Sequence, residues 1–210
     1  MINILIADDH AIVRQGLKQI VTKEADLTVA GEAQTPQEVL TLARRQAWDL
    51  VILDITLPGR SGLEVLKELK HEYPKLPVLI LSMHPEDQYA VRAIKAGAAG
   101  YLTKESAPEE LIKAIRKVLG GGKYVSQSLV DRLVFDLGAD TEKPLHEALS
   151  DREYQVMCLI ASGKTVSEIA ELLSLSVKTA STYRARILEK MSMKTNAELT
   201  YYAIKQRLVD

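Results

Sequence analysis

The chain has 210 residues, of which 47% are apolar and 26% are charged, and its formal net charge at pH 7 is −1. This composition is typical of a soluble globular protein with room for one large or two ordinary domains, and a single cysteine, Cys158, excludes an internal disulfide. No apolar run approaches the ~20 residues of a membrane-spanning helix and no signal-peptide pattern precedes the first strand, so we expect a cytoplasmic protein without membrane contacts.

The first half of the chain alternates strand-like and helix-like segments. Short apolar runs predict five strands, at 2–7, 27–31, 51–54, 78–81 and 100–103. The helical spacing that begins with Ile12 and Val13 predicts a first helix to about Lys23. Four more helices are expected at 36–48, 63–73, 86–96 and from 107 to the glycines at 120–122, with Thr35 and Ser106 as N-caps. Five such units predict an α/β fold with a five-stranded, doubly wound parallel sheet.

Carboxylates follow two of these strands. Asp54 ends the apolar run before a Pro-Gly turn, and Asp8 and Asp9 follow the first strand. Because the carboxyl ends of parallel strands meet at one edge of the sheet, we expect the three acids to lie together. They would repel one another unless a hard cation lay between them, and oxygen ligands suit Mg²⁺. The pattern therefore predicts a magnesium site.

Two further polar residues stand at strand ends, Ser82 and Lys104. With the three acids they resemble the receiver domain of two-component response regulators, whose fold is flavodoxin-like. The resemblance implies that Asp54 is the phosphoryl acceptor, that Lys104 contacts the phosphoryl group, and that Ser82 is the switch hydroxyl. It also implies Tyr101 as the switch aromatic, and Mg²⁺ ligands from Asp8, Asp9, Asp54 and the backbone carbonyl of Thr56.

Other site types fit this half less well. A dinucleotide site needs a glycine-rich turn after the first strand, where Asp8 and Asp9 stand instead. A phosphatase of the aspartyl-phosphate type pairs its nucleophile with a second Asp two residues on, where this chain has Thr56. We therefore expect no independent enzyme activity. His10 and His84 have no metal-binding spacing, although His10 could help to close the acidic pocket.

The remainder of the chain predicts a linker and a second, small all-α domain. A further helix is expected over 125–135, and the polar stretch 137–144, with Gly and Pro, predicts an interdomain linker. The expected domains are thus 1–122, a helix and linker over 123–145, and 146–210. Capping boxes at Ser150, Thr165 and Thr195, and Ser176 as a further N-cap, predict four short helices. The tight turn at 173–176 gives helix-turn-helix geometry.

The helix from Val177 to about Met191 is amphipathic. Val177, Ala180, Ile187 and Met191 form its predicted buried stripe, and the opposite face carries Lys178, Ser181, Thr182 and Ala185. Between 178 and 194 the only acid is Glu189. Small central side chains with basic flanks are typical of a recognition helix. The predicted DNA contacts are Lys178, Thr179, Ser181, Thr182, Arg184, Arg186, Lys190 and Lys194.

The segment from Leu149 to Thr179 resembles the LuxR-type DNA-binding domain, and the whole chain resembles NarL/FixJ-type response regulators. It departs from the family pattern at Val166, Ala180 and Ser181, which bears on base readout. The resemblance implies phosphorylation of Asp54 by a sensor histidine kinase with Mg²⁺, homodimerisation on activation, and binding to promoter DNA, with RNA polymerase as a candidate further partner. The alternative is a phosphorylation-dependent switch whose C-terminal domain binds a protein partner.

Overall fold

The computed structural model describes residues 1–127, 129–131, 144–206 and 208–209, and the side chain of residue 87 is outside this description. The chain divides into two compact units, Met1–Asp136 and Leu137–Asp210. Residues 128 and 132–135 of the helix predicted over 125–135, and residues 137–143 of the linker predicted over 137–144, lie outside the described residues. Within the described part, no helix combines the length and the apolar character needed to cross a membrane.

The first unit contains a five-stranded parallel sheet in the order β2-β1-β3-β4-β5. Its strands are β1 Ile2–Ala7, β2 Leu27–Ala33, β3 Leu50–Asp54, β4 Val78–Ser82 and β5 Gly100–Thr103. All five predicted strands are confirmed, and β2 is two residues longer than expected. Strands β3 and β4 are buried at every position, as continuous apolar runs in a parallel sheet require.

Five helices cover this sheet: α1 Ala11–Val21, α2 Pro36–Arg45, α3 Gly62–Glu72, α4 Glu86–Lys95 and α5 Ala107–Leu119. Helix α1 contacts α5, while α3 contacts both α2 and α4, which places one layer on each face of the sheet. Ile12 was counted in the apolar pattern of α1, but it is 88% exposed.

The predicted helix starts are largely confirmed. The Thr35 hydroxyl accepts a hydrogen bond from the Glu38 N–H at 3.2 Å. The prediction that Ser106 caps α5 is wrong in its detail. Ser106 occupies the N-cap position without capping the helix, because its hydroxyl is hydrogen-bonded to Thr103. Helix α2 ends at Arg45 rather than near position 48.

The second unit consists of a short 3₁₀ turn, Leu145–Ala148, and four helices: α6 Asp151–Ala161, α7 Val166–Leu172, α8 Val177–Lys190 and α9 Asn196–Lys205. Complete capping boxes start α6 and α7. At α9 the box is partial, because Thr195 caps the Glu198 N–H while Glu198 accepts from Lys194 one residue further back. Cys158 is buried, as its apolar neighbours predict.

The turn between α7 and α8 has a specific backbone conformation and a buried anchor. Ser174 has a φ of 52°, in the left-handed region that reverses the chain in few residues. Arg152 of α6 is 2% exposed and donates to the backbone oxygen of Leu173 at 2.8 Å. Its guanidinium also donates to Gln155 Oε1 at 2.7 Å. These bonds attach the turn to α6 and fix the direction in which α8 leaves.

Candidate metal centre and nucleic-acid interface

The carboxyl ends of the central strands bring the predicted site residues to one edge of the sheet. Asp54 is the last residue of β3 and Ser82 the last of β4, and register pairs Ser82 with Thr103 of β5. The Lys104 N–H donates to the Ser82 backbone oxygen at 2.7 Å, which extends the pairing by one residue. The sheet therefore positions Asp54, Ser82 and Lys104 on three adjacent strands.

Lys104 bridges two buried carboxylates. Its Nζ lies 2.7 Å from Asp54 Oδ2 and 2.6 Å from Asp8 Oδ2. The Asp8 and Asp54 side chains are 1% and 2% exposed, and that of Lys104 is 6% exposed. Because one buried ammonium group lies between two buried carboxylates, the charge state of each depends on the other two, and the three groups form one electrostatic unit. The structure thus brings together the acids that the sequence placed on different strands.

The environment shifts the proton affinity of this unit. Burial raises the pKa of Asp54 to about 6, with a further upward contribution from Asp8, against the opposing effect of Lys104. Burial alone would lower the pKa of Lys104, but its pairing with Asp54 and Asp8 prevails and raises it. Lys104 is therefore held in its charged form, while ionised Asp54 is less stable than an ordinary carboxylate.

Asp9 and His10 complete the acidic cluster on its exposed side. One ligand atom each from Asp8, Asp9, His10 and Asp54 can be chosen so that all four lie within 4.8 Å of one another. His10 Nδ1 lies 2.8 Å from Asp9 Oδ1, and the His10 N–H donates to Asp8 Oδ1 at 2.8 Å. The expectation that His10 lies against the acidic pocket is thus met by its contacts.

The donor set fits a hard divalent cation. Clustered carboxylate oxygens beside an exposed edge suit Mg²⁺, which keeps several of its waters. Asp8, Asp9 and Asp54 would hold the ion. Burial keeps the pKa of Asp54 raised although Lys104 opposes it, so a further positive charge would stabilise the ionised carboxylate. Thr56 lies beside them, and its N–H donates to Asp54 Oδ1 at 3.0 Å. Metal coordination by the Thr56 carbonyl oxygen remains a prediction.

Ser82 and Tyr101 are linked through the loop after β4. The Ser82 hydroxyl is fully buried and accepts from the His84 N–H at 3.1 Å. Tyr101 is 3% exposed, and its hydroxyl donates to the backbone oxygen of His84 at 2.9 Å. The two predicted switch residues are therefore both bonded to the backbone of His84, Ser82 through its N–H and Tyr101 through its oxygen. A movement of this loop would disturb both bonds.

Sequence reasoning missed two residues that shape the pocket. A Cβ on Gly62 would lie 2.0 Å from the backbone oxygen of Asp54, so only glycine permits the close approach of α3 to this strand end. Arg14 is 7% exposed, and its Nη1 donates to the Asp8 backbone oxygen at 2.7 Å. The start of a helix after the loop at 58–61 could have indicated Gly62, but no local pattern indicated Arg14.

Helix α8 presents the predicted DNA-contact residues on its outer side. Lys178, Ser181, Thr182 and Arg186 are exposed, as is Lys194 beyond the helix end. Thr179 is half-buried, with its hydroxyl 2.7 Å from Ser176 Oγ. The buried stripe is confirmed at Ala180, Ile187 and Met191 but is wrong at Val177, which is 53% exposed in the first turn. The exposed residues Lys178, Ser181, Thr182, Arg186 and Lys194 thus lie on the outer face and flanks of α8, as expected.

Two of the predicted DNA contacts, Lys190 and Arg184, already have protein partners. Lys190 Nζ lies 2.6 Å from Glu153 Oε2, a carboxylate whose side chain is 4% exposed. Arg184 is half-buried, and its Nε donates to Asn196 Oδ1 at 2.7 Å. Both residues therefore connect α8 to other helices of the unit. Arg186 and Lys178 line a shallow depression with Thr179, Thr182 and Tyr183.

An aspartate and lysine pocket at the carboxyl edge of a five-stranded parallel sheet, followed by a helix-turn-helix unit, defines a two-domain response regulator. The chain belongs to this family: residues 4–116 match the response regulator receiver domain, and residues 147–203 match the bacterial regulatory proteins of the luxR family. The resemblance to NarL/FixJ-type regulators is thereby confirmed.

Relatives match over nearly the whole chain. The chain is 36% identical to the response regulator UvrY of Escherichia coli K12, covering 99% of this chain and 96% of UvrY. It is 37% identical to the response regulator GacA of Pseudomonas protegens, covering 100% and 99%. A structure of RcsB from Salmonella enterica serovar Typhimurium, bound to a promoter in the presence of the phosphomimetic BeF₃⁻, has a TM-score of 0.64 at 26% identity, covering 96% of this chain and 97% of that one.

Proposed function

We propose that this response regulator is phosphorylated on Asp54 by a sensor histidine kinase with Mg²⁺, and then binds promoter DNA as a dimer to regulate transcription. The observation that carries the proposal is the buried unit in which Lys104 bridges Asp54 and Asp8. A bridging lysine beside a nucleophilic carboxylate is suited to phosphoryl transfer, where catalysis depends on positioning and charge stabilisation.

The proposed reaction is an in-line displacement at phosphorus. A carboxylate oxygen of Asp54 forms the new P–O bond, the P–N bond of the kinase phosphohistidine breaks, and its electron pair remains on the imidazole nitrogen. With acetyl phosphate as donor, a P–O bond breaks instead and acetate leaves. Mg²⁺, held by Asp8, Asp9 and Asp54, would neutralise phosphoryl charge. Lys104 then supplies a fixed positive charge to the phosphoryl oxygens.

The bonds of Ser82 and Tyr101 support a switch role for these residues. An acyl phosphate offers three new acceptor oxygens beside Asp54, and a hydroxyl that turns toward them would release the His84 N–H. The backbone oxygen of His84 also accepts the hydrogen bond from the Tyr101 hydroxyl. A local change of charge would in this way alter the β4–α4 loop, which starts the face formed by α4 and β5.

The segment that leaves the first unit is attached to the same face. The Tyr124 N–H donates to the backbone oxygen of Ala99 at 2.9 Å, and Tyr101 N–H donates to that of Tyr124 at 3.0 Å. The Ser126 N–H donates to Glu86 Oε1, at the start of α4, at 3.1 Å. These bonds run along β5 and onto α4, so a rearrangement there would act on the segment leading to the linker.

DNA binding rests on the outer face of α8. Lys178, Ser181 and Thr182 occupy the face that enters the major groove in helix-turn-helix complexes, and Arg186 and Lys194 lie where they can reach phosphates. Lys190 and Arg184 are proposed as further phosphate contacts. The ion pair of Lys190 with Glu153 favours a smaller electrostatic contribution from Lys190 than from Arg186.

Dimerisation would supply the affinity that one such unit lacks. A single recognition helix makes few phosphate contacts, so monomer affinity should be near the non-specific range of ~10⁻⁴ to 10⁻⁶ M. Two linked copies on an inverted repeat raise affinity by roughly 10² or more through effective concentration. Phosphorylation then needs only to shift a monomer–dimer equilibrium by a few kcal/mol.

The phosphorylation proposal is tested by incubating the protein with acetyl phosphate and Mg²⁺ and locating the adduct by borohydride trapping and mass spectrometry. We expect labelling of Asp54, abolished in Asp54→Ala and unchanged in Asp49→Ala, an exposed aspartate of the same unit. Full labelling of Asp54→Ala would disprove the assignment.

The DNA proposal is tested with duplexes selected from a randomised pool. Thr182→Ala should change base preference, whereas Arg186→Ala should weaken all duplexes alike. Analytical ultracentrifugation with beryllofluoride should show a dimer with raised affinity for the selected duplex. A protein that gains affinity while remaining monomeric, both free and on DNA, would contradict dimerisation. The protein-partner alternative predicts no steep fall of duplex affinity with ionic strength.

A further inference from the structure

Arg14 is a buried cation next to the acidic pocket. Its side chain is 8% exposed, whereas that of Lys18, one turn further along α1, is 43% exposed. The Nη1 group donates to the backbone oxygen of Asp8 at 2.7 Å, and Nε lies 3.3 Å from Glu32 Oε2 on β2. One guanidinium therefore connects helix α1 with the end of β1 and with β2.

The Asp8 carbonyl is a sensitive point of the pocket. Because the peptide group is planar, the direction of this carbonyl also fixes the Asp9 nitrogen and Cα. The bond from Arg14 thus sets how both aspartates leave the end of β1. Asp8 is additionally held through its own N–H, which donates to the backbone oxygen of Ala33 at 3.1 Å, and through Oδ1, which accepts from His10 N–H at 2.8 Å.

We propose that Arg14 is a positioning residue for the divalent cation, an inference that rests on the proposed Mg²⁺ site. By fixing the peptide group between Asp8 and Asp9, it holds two carboxylates in the arrangement the ion requires before the ion arrives. Groups that orient metal ligands contribute strongly to metal affinity, and their loss typically weakens binding by about 10- to 100-fold.

The shape of the guanidinium explains why arginine occupies this position. Its donors lie in a rigid fork, so one side chain can bind a carbonyl and a carboxylate at the same time. Glu32 is also bonded to Lys18 Nζ at 2.9 Å, and this bond, more than that of Arg14, lowers the Glu32 pKa against the effect of burial. Arg14 and Lys18 bind different oxygens of Glu32, Oε2 and Oε1, so the Arg14 contact does not require Lys18.

Lys18 provides a matched control. It lies on the same helix and binds the same Glu32, but among the described residues it makes no hydrogen bond to the Asp8 carbonyl. Full-length wild type, Arg14→Met, Arg14→Lys and Lys18→Met would be isotope-labelled and titrated with Mg²⁺ alone. The amide resonances of residues 8–10 give the Kd for Mg²⁺ and show in the same spectra that the unit is folded.

We expect the Kd for Mg²⁺ to rise about tenfold or more in Arg14→Met and to stay within twofold of wild type in Lys18→Met. Arg14→Lys, which can reach only one partner at a time, should lie between them and should decide the question if Arg14→Met fails to fold. A folded Arg14 variant that binds Mg²⁺ as wild type does, with only its unfolding midpoint lowered, would show a purely structural role. Absence of Mg²⁺ binding by wild type would overturn the proposed metal site and this inference together.

Discussion

Replacing Asp54 by Asn should stabilise the metal-free protein. The pKa of Asp54 is raised from 3.8 to about 6, chiefly by burial, so the folded state disfavours the ionised carboxylate. Each pKa unit corresponds to about 1.4 kcal/mol, and the shift therefore costs roughly 3 kcal/mol at neutral pH. An asparagine of similar shape carries no charge and can still accept the Lys104 bond. We expect the variant to be more stable by up to that amount at pH 7.5.

The sign of this effect depends on pH. Well below pH 3.8, Asp54 is protonated in both the folded and unfolded states, and its charge then costs nothing. As pH rises from 3.8 to about 6, the unfolded state loses its proton first, and the folded wild type loses stability relative to the variant. The stability difference between Asp54→Asn and wild type should therefore grow between pH 4 and 6.5 and then level off.

Urea unfolding in EDTA, followed by tryptophan fluorescence, measures this difference. Trp48 is the single tryptophan, and its indole N–H donates to the Leu42 backbone oxygen at 2.9 Å, so its emission reports on the first unit. Asp49→Asn, at an exposed position, keeps an amide oxygen that can accept the 2.7 Å hydrogen bond from the Asn3 N–H, and it should change stability by no more than about 0.5 kcal/mol. Mg²⁺ should stabilise wild type more than Asp54→Asn. An Asp54→Asn gain that is absent, or equal at pH 4 and pH 7.5, would refute the reasoning.

Two further pairs of variants test the packing and charge arguments. Gly62→Ala should destabilise the first unit by more than about 2 kcal/mol and reduce labelling by acetyl phosphate, because the new Cβ would clash with the Asp54 backbone. The control Gly16→Ala, at a helical position with open space around it, should stabilise the unit by about 0.5 to 1 kcal/mol in the same urea titration. Arg186→Ala should lower the salt slope of DNA binding by about one unit, whereas Lys190→Ala, which leaves the buried carboxylate of Glu153 without its ion pair, should change that slope less and lower the melting temperature of the second unit. Equal slopes for these two variants would contradict the assignment of Lys190 to an internal ion pair.

Strand positions could be predicted because burial on both faces produces continuous apolar runs, and parallel topology then brings their ends together. This reasoning was sufficient to predict that Asp8, Asp54 and Lys104 lie together, although they are separated by up to 96 positions. In the structure the Lys104 ammonium group bridges the two carboxylates. Helix starts were also predictable, because an N-cap depends only on residues close to it in the sequence. The failure at Ser106 arose because a competing hydroxyl, Thr103, lies within reach.

Contacts between distant elements could not be predicted from local spacing. On α1, the apolar Ile12 is exposed and the charged Arg14 is buried, the reverse of what periodicity favours. Arg14 is buried because its partners lie on β1 and β2, so its environment depends on the assembled fold. Val177, the first residue of α8, is 53% exposed, whereas Ala180, three residues further on, is buried, so the buried stripe of this helix begins only after its first turn.

The charges of the pocket explain why the proposed reaction requires a cation. Asp8 and Asp54 share the ammonium group of Lys104 in a buried setting, and the exposed Asp9 lies beside them, which leaves an excess of about two negative charges at this edge of the sheet. Adding a phosphoryl group would raise this excess by about one more, because the acyl phosphate carries close to two negative charges in place of one. A divalent cation offsets most of that excess, whereas Lys104 alone does not. In the proposed phosphorylation, Lys104 exchanges its bond with the Asp54 carboxylate for bonds to phosphoryl oxygens. The backbone N–H of Lys104 is bonded to the Ser82 backbone oxygen. The proposed phosphorylation would therefore act on the ends of β4 and β5, where the switch begins.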